Sequence, residues 1–209
     1  MGIITDIQKQ KKEGRYNIYI DGEFAFGLYK ETIFNYGLRK NDEFTEEKIS
    51  DIIKYDEVTF GKKVAYKYLA FCPRSIKDVR TKLKSKKLRD ENIEEIINYF
   101  ILHKFLDDEL YAKSYIENQK IKKPMGKRNL ELKLLNKGID KEIIKKVIEE
   151  NYDEETELAN GINLLTKYLS KHKYIPNETI KQKAFTYLFT RGFDYSLITE
   201  IINQTLKSE

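Results

Sequence analysis

The richest chemistry in this chain is positive charge. Residues 74–89 read RSIKDVRTKLKSKKLR and set Arg74, Lys77, Arg80, Lys82, Lys84, Lys86, Lys87 and Arg89 against the single Asp78. A second group follows at Lys120, Lys122, Lys123, Lys127 and Arg128. Clusters of this kind have two uses. They can be a solvated face of a lysine-rich protein, or a surface that attracts a phosphate backbone or an acidic protein partner. The second use is favoured because the two groups occupy corresponding parts of two repeated modules, described below.

The remaining reactive residues do not assemble into a catalytic set. Asp107–Asp108–Glu109 is the densest acidic cluster, but a divalent metal needs oxygen ligands converging from separate segments. Its setting, Phe105-Leu106-Asp107-Asp108-Glu109-Leu110-Tyr111-Ala112, reads instead as an apolar residue, an aspartate N-cap and an acidic first helical turn. Cys72 lies between Phe71 and Pro73 at the end of an apolar helix and is expected to be inert packing. As the only cysteine it excludes an internal disulfide and a cysteine-based zinc site. His103 is expected to close a helix, and His172, between Lys171 and Lys173, to be a surface residue. The 15 tyrosines and 11 phenylalanines fall mostly on apolar stripes, leaving few for stacking on bases. There is no P-loop, Gly-x-Gly-x-x-Gly, Gly-x-Ser-x-Gly or His-Glu-x-x-His. The sequence therefore predicts a protein that is not an enzyme, without metal or cofactor; a nuclease is the least favoured reading.

The elements that must position these cations begin with a β segment. Tyr16, Ile18 and Ile20 alternate with polar partners, Asp21–Gly22 offers a two-residue hairpin turn, and Phe24, Phe26 and Leu28 continue the alternation. A third strand is expected over residues 3–9, with Ile3, Thr5 and Ile7 on one face. Two short helices near residues 30–36 and 46–55 would cover this small sheet, the second capped by Thr45. From about residue 57 the spacing of apolar residues is helical, as in Val64, Tyr68, Phe71 and in Ile93, Ile96, Ile97, Phe100. No run of about 18 apolar residues is present, and the opening MGIITDIQKQKKEG lacks the apolar core of a signal peptide, so a cytoplasmic location is expected. The net charge of +5 is unevenly spread: residues 1–57 carry −3, 58–106 carry +7, 107–152 carry +2 and 153–209 carry −1.

The helical part repeats. Leu83, Leu88, Ile93, Ile96 and Ile97 align with Leu134, Ile139, Ile144, Val147 and Ile148 at an offset of 51, and these align with Leu188, Phe193, Ile198, Ile201 and Ile202 at an offset of 54. Pro73, Pro124 and Pro176 each precede the middle helix of a triplet. The turn after that helix recurs as Lys86–Lys87–Leu88, Lys137–Gly138–Ile139 and Arg191–Gly192–Phe193, where glycine suits the left-handed position that ends a helix. The predicted fold is mainly α. It is an elongated, curved tandem array of three three-helix modules over residues 58–106, 107–152 and 153–209, preceded by a small β-hairpin and helix domain over residues 1–57. A monomer is expected of such an array. Three-helix units suggest helix-turn-helix readout of bases. The third helix of the first module, however, opens Asp90-Glu91-Asn92-Ile93-Glu94-Glu95, which a phosphate-lined groove repels.

At these residues the sequence resembles the RecX family of bacterial recombination regulators. The resemblance is carried by Tyr68-Leu69-Ala70-Phe71-Cys72-Pro73-Arg74-Ser75, Leu83 with Lys86-Lys87-Leu88, Phe105 to Ala112, Lys123-Pro124-Met125-Gly126-Lys127 and Leu134-Leu135-Asn136-Lys137-Gly138-Ile139-Asp140. The opening hairpin, Tyr16-Asn17-Ile18-Tyr19-Ile20-Asp21-Gly22, is similar to an extension found in some members. This sequence departs at Cys72, where the family usually has arginine, and at Lys87, where its own other modules have glycine. The resemblance implies a partner, the RecA recombinase filament on single-stranded DNA, and a role in limiting recombination and its ATPase activity during DNA repair. It leaves open capping or wedging against groove binding, and contact with single- or double-stranded DNA. The alternative is a DNA-binding module that acts without a recombinase.

Overall fold

The structure, a computed structural model, describes residues 2–11, 14–172 and 176–207. Among them are four strands and ten helices. The chain divides into two compact units, Met1–Cys72 with Val79–Phe105, and Pro73–Asp78 with Leu106–Glu209. No helix is long and apolar enough to cross a membrane.

In the first unit, β1 (Gly2–Lys9), β2 (Arg15–Ile20) and β3 (Glu23–Tyr29) form an antiparallel meander, and β4 (Glu43–Phe44) pairs with β1 to give the order β3-β2-β1-β4. Asp21 and Gly22 join β2 to β3 with φ of 52° and 87°, the left-handed pair that a tight hairpin matched to strand twist requires. The expected alternation breaks twice, because the register shifts between Ile4 and Asp6 and again between Ile18 and Tyr19. A one-residue slip turns the following side chains to the opposite face. Ile4 rather than Ile3 is therefore buried, while Ile7 still packs on the core. Phe24 is exposed against the edge of Tyr19 instead of sharing the face of Leu28.

After α1 (Lys30–Asn35) the chain enters α2 (Glu46–Leu69). Thr45 caps α2 by accepting the Lys48 N–H, as its position predicts. The helix does not stop near residue 55. It runs for 24 residues through position 57, since no glycine or proline breaks it there and Val58, Gly61 and Ala65 extend its buried stripe. The buried carboxylate of Asp56 accepts the Tyr29 N–H (2.7 Å) and the Thr32 hydroxyl (2.6 Å), which ties α2 to the end of the sheet and to α1. The second half of α2 packs with α4 (Asp90–Leu102), and Lys82 of α3 (Ile76–Lys84) reaches the ring of Tyr68 on α2.

The second unit holds α5 (Asp108–Lys122), α6 (Lys127–Asn136), α7 (Lys141–Asn151), α8 (Glu154–Lys171), α9 (Asn177–Thr190) and α10 (Tyr195–Lys207). All fifteen residues aligned by the internal repeat are buried. The repeat thus corresponds to one three-helix core built three times, with apolar burial as its common driving force. Helix contacts repeat as well. A Cβ on Gly61 of α2 would overlap Ile96 of α4, and a Cβ on Gly161 of α8 would overlap Ile201 of α10. Where the shorter Val147 replaces isoleucine, the corresponding first-helix position carries Ala112, fully buried in the same core. The turn before each third helix is left-handed in all three modules, with φ of 61° at Lys87, 79° at Gly138 and 88° at Gly192.

Candidate functional site

The first basic stretch is partly neutralised by its own neighbours, through three of its eight cations. Arg80 forms a two-pronged pair with Glu94 (2.9 and 2.8 Å), and this donor pair holds the Glu94 carboxyl below its usual range. Lys84 meets Asp90 at 3.1 Å, and Arg89 pairs with Glu57 (2.9 Å) and Glu91 (3.3 Å). The acidic opening of α4, which argues against entry into a DNA groove, is thus what compensates α3 and the turn after it. Lys82 lies over the Tyr68 ring at 5.4 Å, and Lys86 and Lys87 are exposed on the turn. Arg74 and Lys77 fall in the second unit, the other six in the first. Lys77 donates to the Asn136 carbonyl at 3.0 Å, while Asp78 pairs with Lys137 at 3.1 Å.

The second cluster also divides. Lys120 pairs with Glu117 at 2.8 Å. The Lys127 backbone N–H donates to Glu157 (2.8 Å), a carboxylate from α8 that caps the start of α6. Burial raises the Glu157 carboxyl, and the Lys127 N–H and ammonium offset only part of that shift. Arg128 stands over Phe189 at 5.5 Å. Lys122 and Lys123 have a different role: they line a cavity of about 510 Å³ together with Lys133, Lys167 and Arg191.

Sequence reading missed those last three residues, because they come from α6, α8 and the turn after α9. A signal was present in the repeat. Asp78 and Lys137, an ion pair, correspond to Asn129 and Arg191. The acid has become an amide, which instead donates to the Thr190 carbonyl at 3.1 Å. Arg191 lies over Tyr187 at 4.1 Å. The cavity wall is firmly held. The Gly126 N–H donates to the Arg191 carbonyl (3.0 Å), and a Cβ on Gly126 would collide with the Gly192 backbone. The buried Tyr152 hydroxyl donates to the Met125 carbonyl (2.8 Å) and accepts from Asn160 (3.1 Å); burial pushes its pKa up to about 12.

The other candidates take ordinary structural places. Asp107 caps α5 through the Leu110 N–H (2.9 Å), Asp108 accepts the Ile76 N–H (2.9 Å), and Glu109 meets Lys146 and Lys113. The three carboxylates thus share no partner. Cys72 is exposed, not packed: α2 ends at Leu69, so residues 71–73 leave the apolar face. Phe71 is exposed for the same reason. His103 ends α4 against Tyr99, and His172 ends α8 against Tyr168, each with ring centres 4.4 Å apart. Lys173, the expected neighbour of His172, lies outside the described residues.

Comparison with known proteins agrees along the chain. The domain described as "Regulatory protein RecX N-terminal domain" matches residues 2–45, "RecX, first three-helix domain" matches 62–100, and "RecX, second three-helix domain" matches 107–148. The regulatory protein RecX of Clostridioides difficile is 31% identical, covering 99% of this chain and 97% of its own. That of Caldanaerobacter subterraneus subsp. tengcongensis is 32% identical, covering 97% and 100%. A crystal structure of a regulatory protein RecX superimposes with a TM-score of 0.72 at 27% identity over 97% of this chain and all of that one. RecX from Lactobacillus salivarius gives 0.65 at 28% identity over 72% and 97%. This chain belongs to the RecX family of regulatory proteins.

Proposed function

We propose that this protein binds the RecA recombinase filament on single-stranded DNA and inhibits its recombination and ATPase activity, and so regulates DNA repair. The observation that carries this reading is the collinear match of the chain to RecX domains and to full-length regulatory proteins of that name. On this reading residues 1–57, 58–106, 107–152 and 153–209 act as four modules. Repetition supports binding to a repeating partner, because several modest contacts on one filament combine into high avidity. The first module would contribute Lys82, Lys86 and Lys87, whose charge no ion pair absorbs among the described residues. Co-sedimentation with RecA filaments tests the assignment. Lys82→Glu, Lys86→Glu and Lys87→Glu together should weaken binding by about tenfold or more with helicity unchanged. Binding equal to that of the parent protein would reject this surface.

The second reading, a DNA-binding module acting without a recombinase, is supported by the concentration of cations in and around the cavity of the second unit. It predicts salt-dependent binding of bare DNA near physiological salt. Absence of binding to both single- and double-stranded DNA would dismiss it.

A further inference from the structure

The cavity of the second unit has three properties that belong together. Its volume, about 510 Å³, lies in the range that encloses one small organic ligand. It gathers five cations, Lys122, Lys123, Lys133, Lys167 and Arg191, and no acidic residue lines it among the described residues. None of the five forms an ion pair among the described residues, unlike Lys120 and Lys127 just beside them. Gathering like charges around a concave wall costs energy through mutual repulsion unless an anion is held there. Part of the wall is also apolar: Ile121 is 82% exposed at the rim, next to Pro124 and Leu164.

The internal repeat shows that this charge is not a by-product of the fold. At the corresponding place between the first two modules, an acid (Asp78) accompanies the cation Lys137. Here the equivalent positions are Asn129 and Arg191, so the negative charge is gone while the cation is kept. The joint is rigid, because the Gly126 and Gly192 backbones pack too closely for a side chain on either. The cavity is thus formed before any ligand arrives, which lowers the ordering cost of binding.

We propose that this cavity binds the phosphate groups of a nucleotide. Lys133, Lys167 and Arg191 would hold the phosphates, Arg191 through its two-pronged donor set, and Ile121 with Pro124 and Leu164 would cover the base or sugar. That chemistry is shared by a free nucleotide and by one nucleotide of a single strand. The proposal goes beyond the recombinase reading and is measured without RecA, so either can fail alone.

The test uses the full chain with two fluorescent probes, labelled ADP and labelled tetrathymidylate, titrated near physiological salt. The expected result is saturable one-to-one binding of at least one probe. It should be weakened about tenfold or more by Lys133→Gln with Lys167→Gln, and changed less than about twofold by Lys141→Gln with Lys145→Gln, which lie outside the cavity lining. All four lysines are exposed, and circular dichroism checks that both variants fold. Binding of ADP alone assigns the site to a free nucleotide. Binding of the oligonucleotide, with or without displacement of ADP, assigns it to a strand. No saturable binding of either probe, or a loss no greater in the first variant than in the second, overturns the proposal.

Discussion

Lys87 holds a left-handed backbone conformation (φ 61°) where the two later modules have glycine. The conformation costs a side-chain-bearing residue roughly 1–2 kcal/mol, of which the extra chain entropy of glycine offsets part. Lys87→Gly should therefore raise stability by about 0.5–1 kcal/mol in denaturant unfolding; a loss would show that the lysine side chain does structural work there. The later glycines have a further reason to stay small, since a Cβ at Gly138 would come within 2.8–2.9 Å of the Lys77 side chain. Tyr152 is the complementary case, a large buried residue whose hydroxyl holds the cavity wall at Met125. Tyr152→Phe leaves that carbonyl and the Asn160 amide without their partner, at a cost of about 1–3 kcal/mol. Unchanged stability would mean that water replaces the hydroxyl. The left-handed turn at Lys87 was legible from its alignment with Gly138 and Gly192, whereas the role of Tyr152 was not. Tyr152 looks like one more aromatic on an apolar stripe, and its burial depends on α5, α7 and α8 meeting.

Between elements, the first and third helices of a module approach as closely as their facing residues allow. Gly161→Ala should destabilise the second unit by about 1–3 kcal/mol through overpacking against Ile201, despite the better helix propensity of alanine. Adding Ile201→Val should recover most of that loss, because the second module already combines Ala112 with Val147. Failure of the rescue would contradict the equivalence of the three cores. Glu157 links α8 to the start of α6, and its pKa is raised by burial. A raised acid is bound to its proton more tightly in the folded state, so its contribution is greatest below the ordinary carboxylate range and declines as pH rises. Unfolding across about pH 4–7 should therefore show Glu157→Gln gaining stability relative to the parent as pH increases. Glu94, Glu109 and Asp153 are shifted down and give the opposite slope in both proteins, which the difference removes. A difference that shrinks with pH would mean that the Lys127 contacts outweigh burial.

For the whole molecule, helical periodicity and the offsets of 51 and 54 were enough to identify three repeated cores, because burial acts on every repeat in the same way. The hairpin was legible from Asp21–Gly22, but the two register shifts were not, since Ile3, Ile4, Phe24 and Phe26 are all acceptable on either face of a strand. The end of the second helix was misplaced because a helix without a breaker simply continues. The basic stretch was visible as composition, whereas the pairing of Arg80, Lys84 and Arg89 with Glu57, Asp90, Glu91 and Glu94 depends on tertiary structure across the turn. The cavity was invisible for a related reason: Lys133, Lys167 and Arg191 come together only through the fold, and the change from Asp78 to Asn129 acquires meaning once both joints are seen. Family membership was legible because the linked motifs lie at the turns and caps that every module needs.

The regulatory role is tested most directly by RecA ATP hydrolysis on single-stranded DNA while this protein is titrated. The expected result is inhibition that saturates. Saturation well below equimolar protein indicates action at a few sites, by capping or disruption, and saturation near equimolar protein indicates binding along the filament. Hydrolysis unaffected by a molar excess of folded protein would contradict the proposed inhibition, and retained binding to bare DNA in that case would favour the DNA-binding module.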